Sequence, residues 1–264
     1  MREALIGILS DTHFGSRCAA WPEADNRWAG SQYVTRCLRH CAKTFPKVKL
    51  LILLGDMIHG KNPKEQGIGC YTTKLSEQVQ FGAIKMLEPF VEKADAVMRV
   101  WGTGYHEPGD DPMTAFDEHF KDKLKAEHVK DVLDIPIGKD RRIFNAAHHP
   151  ASGSTLYMGT AVDKEALWSL VAAGIGKVKN PRWIIRGHKH TYIQQDQEGK
   201  TVCLSPGWML PDWHCKRTNY WRFQSSVGAM LFAKDEYMKG EYRFVPMIYP
   251  APVPDVCELG RSLS

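Results

Sequence analysis

The chain has 264 residues, of which 43% are hydrophobic and 25% charged, and a formal net charge of +5. That composition supports a sizeable core and excludes a disordered chain. The longest uninterrupted apolar run, Leu50 to Leu54, is far too short to cross a bilayer. With no basic-then-apolar signal pattern before Asp11, a soluble cytoplasmic protein without membrane partners is expected.

Seven cysteines, an odd number, point to free thiols rather than a disulfide framework. Cys37 and Cys41 fall on one helix face with Val34 and Leu38 and read as core. The positive charge is spread along the chain, with modest concentrations at Lys43–Lys49, Lys121–Lys130 and Lys177–Arg182 that read as solvated surface.

Short apolar runs recur at Ala4–Leu9, Leu50–Leu54, Ala96–Trp101, Ile143–Ala147 and Trp183–Ile185, each the length of a buried strand. Helical patterns lie between several of them. One, capped by Ser31, presents Val34, Cys37, Leu38 and Cys41; the next presents Leu75, Val79, Ala83, Met86, Leu87 and Phe90. A third begins near Thr160, with Asp163 placed for a capping box.

Strands alternating with helices predict an α/β protein with a largely parallel first half. Thr191–Gln197, Thr201–Ser205, Val227–Ala233 and Glu241–Ile248 predict strands joined by short turns, an antiparallel last portion. A single two-sheet domain over 1–264 is expected, with 250–264 as a C-terminal tail.

In open α/β sheets functional groups collect beyond the carboxyl ends of the strands. Here the five runs lead into Ser10-Asp11-Thr12-His13, Gly55-Asp56, Gly102-Thr103-Gly104-Tyr105-His106-Glu107, His148-His149-Pro150 and Gly187-His188-Lys189-His190. A single Asp or His at such a place is usually a cap or a solvated group. Five endings together point to a metal site of transition-metal character, built from Asp11, His13, Asp56, His148, His188 and His190. Asp11 and His13, two apart, are expected to project to one side of an extended segment, and His188 and His190 to repeat the device. The two oxygens of Asp56 suit a bridge between two ions, and Gly55, Gly102 and Gly187 allow sharp turns beside it.

The ordered set Asp-x-His, Gly-Asp, a glycine-rich turn ending His-Glu, a His before Pro, and Gly-His-x-His resembles the calcineurin-like metallophosphoesterase family over residues 10–190. Leu204-Ser205-Pro206-Gly207 is similar to the Asn-Pro-Gly-Ser turn of its small bacterial phosphodiesterases. The resemblance implies two facing mixed β-sheets flanked by helices, a four-layer αββα sandwich. It implies two divalent metal ions, Mn²⁺ first with Fe or Zn²⁺ as alternatives. Asp11, His13 and His190 would hold one ion, His148 and His188 the other, and Asp56 both.

Two positions depart from the family pattern. Gly104-Tyr105-His106 has a phenol where the family carries a metal-binding Asn before its catalytic His. In the preferred alignment Gly102-Thr103 takes the Gly-Asn position, so that Thr103 or a water completes the second ion. In a third alternative His106 is itself a ligand and the acid comes from elsewhere. His59 stands where many relatives carry Asp, and is expected to touch substrate or to pack.

The implied chemistry is hydrolysis of a phosphate ester by metal-activated water, with His106 as acid. Glu107 either orients His106 or is an exposed turn residue. His149 faces substrate or solvent, and His40, His119 and His128 are expected at the surface. Between Pro206 and Trp221 lie Trp208, Trp213, His214, Lys216, Arg217, Tyr220 and Trp221. Aromatic faces among cations suit base stacking and phosphate neutralisation, with Lys216 and Arg217 on substrate, although a loop pinning its tryptophans into the core reads equally well. A nucleotide or nucleic-acid phosphodiester is therefore the expected substrate, nuclease and small-nucleotide phosphodiesterase competing. Phosphomonoesterase activity, or a non-catalytic protein-binding scaffold on the same fold, are the alternatives.

Overall fold

The computed structural model describes residues 4–23, 29–63, 66–108, 112–151, 159–197, 199–212, 226–235 and 241–250. In chain order these form β1 (Ala4–Leu9), α1 (Ala29–Thr44), β2 (Val48–Leu54), α2 (Leu75–Glu77), a π-helical stretch (Gln78–Ile84), α3 (Lys85–Val91), β3 (Ala94–Val100) and α4 (Thr114–His119). There follow β4 (Val129–Lys130), β5 (Val132–Ile137), β6 (Arg142–Ala147), α5 (Gly159–Gly174), β7 (Pro181–Arg186), β8 (Ile193–Gln197), β9 (Lys200–Leu204), β10 (Val227–Lys234) and β11 (Tyr242–Tyr249).

The strands build two mixed sheets, ordered β11-β10-β1-β2-β3-β4 and β5-β6-β7-β9-β8. Side-chain alternation assigns their faces. Leu51 and Leu53 point to α1 and α3, while Ile52 and Leu54 point into the layer shared with Phe144, Trp183 and Ile185 of the second sheet. Ile184, between Trp183 and Ile185, points the other way, to Ala161, Val162 and Ala166 of α5. Helices therefore cover both outer faces, a four-layer αββα arrangement whose central strands read as continuous apolar runs because both sides are buried.

The antiparallel end is divided between the sheets. β8 pairs antiparallel with β9, which continues the second sheet beside β7, whereas β10 and β11 extend the first from β1. β4 and β5 were not anticipated. β5 is an edge strand containing Pro136, and a proline is tolerated at an edge but masks the strand signal. The helix expected from Leu75 onward is interrupted by the π-helical stretch, and Pro89 lies inside α3. Asp163 Oδ1 accepts a hydrogen bond from Gln197 Nε2.

Cys37 and Cys41 are buried against the first sheet, and the cysteines among the described residues are free. Among the described residues no helix is long and apolar enough to cross a membrane. The tail from 251 to 264 lies outside them.

Candidate metal centre

β1, β2 and β3 run parallel in one sheet, and β6 and β7 run parallel in the other. Their carboxyl ends meet at one edge of the sandwich. The two leading loops stay zipped beyond the strands, Asp11 N donating to Gly55 O at 3.1 Å, His13 N to Asp56 O at 3.0 Å and Phe14 N to Met57 O at 2.9 Å.

The backbone there is left-handed, not extended as expected. Asp11, His13, Asp56, His188 and His190 have φ of 52°, 44°, 48°, 68° and 49°. Each such non-glycine residue costs on the order of 1–3 kcal/mol, and Asp and His tolerate this region better than most. Five together mean that the side-chain arrangement is held against local backbone preference.

Of the three glycines, Gly55 has φ 76°, whereas Gly102 and Gly187 serve close approach. A Cβ at Gly187 would collide with the Ser10 hydroxyl and lie 3.0 Å from both Asp11 Oδ2 and His148 Nδ1.

Two donor groups result, Asp11/His13/His190 and Asp56/His148/His188. In the first, His13 Nε2 and His190 Nε2 stand 3.1 Å apart, and His190 Nε2 is 3.2 Å from Asp11 Oδ1. In the second, Asp56 Oδ2 is 3.1 Å from His148 Nε2 and 3.9 Å from His188 Nδ1. The same oxygen is 4.0 Å from His13 Nε2, so it faces both groups.

These residues fit metal ions. His148 Nδ1 donates to Leu54 O at 2.8 Å, which fixes the tautomer and turns Nε2 inward as a lone-pair donor. That Nε2 is buried facing the Asp56 and Asp11 oxygens, 3.1 and 3.9 Å away, so an imidazole lone pair meets carboxylates there and a cation relieves the conflict. Ser10 Oγ donates to Asp11 Oδ2 and lies 3.1 Å from Leu54 O, and His188 N donates to both Asp11 oxygens at 3.1 and 3.0 Å.

The charges are mutually dependent. Burial alone would raise the carboxyl pKa of Asp11, but His190 and His148 bring it below the usual range. Burial opposes ionisation of Asp56 too, and hydrogen bonds and charge from His148 and His188 bring it well below. Burial works against protonation of His148, yet Asp11 and Asp56 push its pKa up to about 10; His190 is raised against burial by Asp11. His13 is held well below its ordinary value by burial and by His106 and His190.

Thr103 is brought to Asp56, its N–H and hydroxyl donating to Oδ1 at 2.6 and 3.0 Å. The hydroxyl also accepts from His106 N at 3.3 Å. His106 Nδ1 lies 2.8 Å from the His59 carbonyl and therefore carries the hydrogen, leaving Nε2 for the site. Its ring is 4.4 Å from that of His13, edge to face.

His59 is buried, and with His13 and His106 it forms a third close group. Burial and His106 bring its pKa down to about 4. Tyr105 is turned away from the metal donors, and its hydroxyl donates to Asn62 Oδ1 at 2.5 Å. His149 is exposed, its ring 5.0 Å from that of His188 at the rim.

Glu107 neither bonds His106 nor lies at the surface. It is buried, accepting Met57 N–H at 2.9 Å and Gly102 N–H at 3.1 Å, and so ties the end of β2 to the end of β3. Beneath it Arg99 is buried and forks onto Asp117 at 3.0 and 2.7 Å. Gln78, at the start of the π-helical stretch, accepts His59 N–H and Gly60 N–H and donates to Gly60 O and Thr72 O. Ser10, Gln78 and Asn62 escaped sequence reasoning, since a polar residue on a helix or in a turn carries no periodic signal. Glu107 was visible as a carboxylate at a strand end, but its target is backbone.

Trp208 is fully buried, and its backbone N–H donates to Asp11 O at 2.9 Å. It is therefore a core residue and not a stacking platform. Trp213, His214, Lys216, Arg217, Tyr220 and Trp221 lie outside the described residues. His40 and His119 are exposed, whereas His128 is half-buried with Nδ1 3.1 Å from Val97 O.

No family model matches the chain, and no curated protein matches it. Solved structures to which it is similar include Vps29 from Entamoeba histolytica complexed with Zn²⁺, at 13% identity and TM-score 0.43 over 92% of this chain and 98% of that one. An archaeal phosphodiesterase is similar at 16% identity and TM-score 0.41 over 92% and 99%. A predicted phosphoesterase from Streptococcus pneumoniae is similar at 10% identity and TM-score 0.40 over 93% and 99%. These are likenesses of fold alone.

Proposed function

We propose that the chain is a dinuclear metal-dependent phosphoesterase acting on a nucleotide or nucleic-acid phosphodiester. The observation that carries this is Asp56 Oδ2, which faces His13 on one side and His148 and His188 on the other. Asp11, His13, Asp56 and His190 would hold one ion, and Asp56, His148 and His188 the other. Mixed imidazole and carboxylate donors suit Mn²⁺, Fe and Zn²⁺, of which Mn²⁺ is our first assignment.

Two such ions supply Lewis-acid stabilisation of phosphoryl oxygens and activate water at neutral pH. The chain's own residues do the rest. Thr103 occupies Oδ1 of Asp56 and so leaves Oδ2 facing the donors that would hold the two ions. His106, held through Nδ1 by the His59 carbonyl, presents Nε2 to the leaving oxygen and in its protonated form donates to it. His149, on the exposed rim, meets the substrate together with Lys216 and Arg217. His59, buried behind His106, positions that ring. The diester preference rests on the cations and aromatics of residues 213–221 in the sequence.

The test is hydrolysis of bis-p-nitrophenyl phosphate and p-nitrophenyl phosphate by chelated and Mn²⁺-loaded protein, followed by competition with oligonucleotides and cyclic nucleotides. Faster diester turnover, inhibited by one of these competitors, is expected. Preference for the monoester would replace the substrate assignment, and no turnover by metal-loaded protein would favour a scaffold.

A further inference from the structure

Gln78 opens the π-helical stretch and is fully buried. Such widened turns are rare and often mark functional sites. An amide side chain offers two N–H groups and two acceptor positions, and here all are used. Oε1 accepts His59 N–H at 3.1 Å and Gly60 N–H at 2.9 Å, while Nε2 donates to Gly60 O at 2.8 Å and Thr72 O at 2.7 Å. The side chain is also wedged in place, since a Cβ at Gly15, where φ is 101°, would lie 2.5 Å from Gln78 Cδ.

The peptide joining His59 to Gly60 is therefore bonded on both sides. Its N–H, on Gly60, goes to Gln78, and its C=O, on His59, lies 2.8 Å from His106 Nδ1. A trans peptide is planar, with its N–H and C=O pointing opposite ways. Fixing the N–H thus aims the carbonyl, and the carbonyl selects the imidazole tautomer with Nδ1 protonated and Nε2 free. The backbone of His106 is held separately, its N–H donating to Thr103 O at 3.0 Å. What the His59–Gly60 peptide decides is the ring's rotation and tautomer. Gly60 allows the close approach this needs: its φ is 76°, and a Cβ there would lie 2.7 Å from His106 O and 3.0 Å from Tyr105 O.

We infer that Gln78 is a positioning residue for His106, acting through the His59–Gly60 peptide and touching neither metal donors nor substrate. The use of His106 Nε2 as an acid rests on the function proposed above; the hold on the ring does not. Loss of the amide frees the peptide to rotate, the carbonyl leaves Nδ1, and the ring reverts to the Nε2–H tautomer that an unconstrained imidazole prefers. In that tautomer Nε2 no longer takes up the proton it must deliver.

The experiment compares the full-length parent with Gln78→Met, and with Gln78→Asn, which is one methylene too short to reach the turn and serves if the methionine variant does not fold. Ring nitrogen shifts of His106 in Zn²⁺-loaded protein at about pH 8 report the tautomer, assigned by their absence in His106→Gln. The Nδ1–H form is expected in the parent and the Nε2–H form in either variant. Turnover of bis-phenyl phosphate should fall at least 10-fold, within the roughly 10²- to 10⁴-fold that a general acid supplies, with metal content unchanged and much less loss for bis-p-nitrophenyl phosphate. In a His106→Gln background the Gln78 substitution should cost nothing further. Retention of the Nδ1–H form in both variants overturns the inference, as does an equal loss with both esters that adds to that of His106→Gln. Should the parent hydrolyse neither ester, the proposed function falls and the tautomer alone decides the role of Gln78.

Discussion

Thr103 gives both its backbone N–H and its hydroxyl to Oδ1 of Asp56, at 2.6 and 3.0 Å. One carboxylate oxygen is thereby fixed and the other is left facing His13, His148 and His188. Partners that orient a ligand in this way typically contribute about 10- to 100-fold to metal affinity. Thr103→Val should therefore weaken binding of the second Mn²⁺ by roughly that factor, and Thr103→Ser should retain it. Competition with a chelating dye measures both.

His106 should matter to turnover and not to loading. His106→Gln is expected to lower turnover of bis-phenyl phosphate by about 10²- to 10⁴-fold with metal content unchanged. The loss should be much smaller for bis-p-nitrophenyl phosphate, whose leaving group needs little protonation. An equal loss with both esters, or loss of an ion, would make His106 a ligand.

Metal binding should release protons. The pKa of His148 is raised to about 10 and that of His190 is also raised, so without metal both keep protons above the ordinary imidazole value. The stability these protonated pairs give the metal-free fold is fully present below about 6.5 and is lost as pH rises through the raised values. An ion must displace the same protons, so its affinity should increase with pH from 6 to 8. Titration calorimetry in buffers of different ionisation enthalpy should show about one proton released per ion, from His190 in one donor group and from His148 in the other.

Much of this was legible in the sequence because central strands buried on both faces leave continuous apolar runs, and those runs point to the residues beyond them. Asp11, Asp56, His148 and His188 were visible for that reason, as was the parallel order of β1, β2 and β3. β5 was hidden by Pro136 at a sheet edge. The left-handed backbone of Asp11 and His13 was also hidden, because it is imposed by bonds from the neighbouring loop at Gly55 and Asp56 and not by local preference. The role of Gln78 depends on a widened helical turn that no spacing of apolar residues announces.

Glu107 joins the ends of β2 and β3 through two backbone N–H groups, which no amide can accept together. Glu107→Gln should leave one of them unsatisfied, costing about 1–3 kcal/mol in stability. Burial and Asp56 raise the pKa of this carboxyl to about 7. Its contribution to stability is thus present below about 4.3 and declines as pH rises through 7. Thermal melts of metal-free protein between pH 5 and 8 should show that decline, and the variant should lack it.

The most direct measurement is the metal content of Mn²⁺-equilibrated protein by elemental analysis, for the parent chain and for Asp56→Asn, with diester turnover recorded on the same samples. About two ions per chain, and loss of both tight loading and turnover in Asp56→Asn, is the predicted result. A parent chain that binds no ion and hydrolyses nothing would contradict the dinuclear centre and leave a protein-binding scaffold in its place.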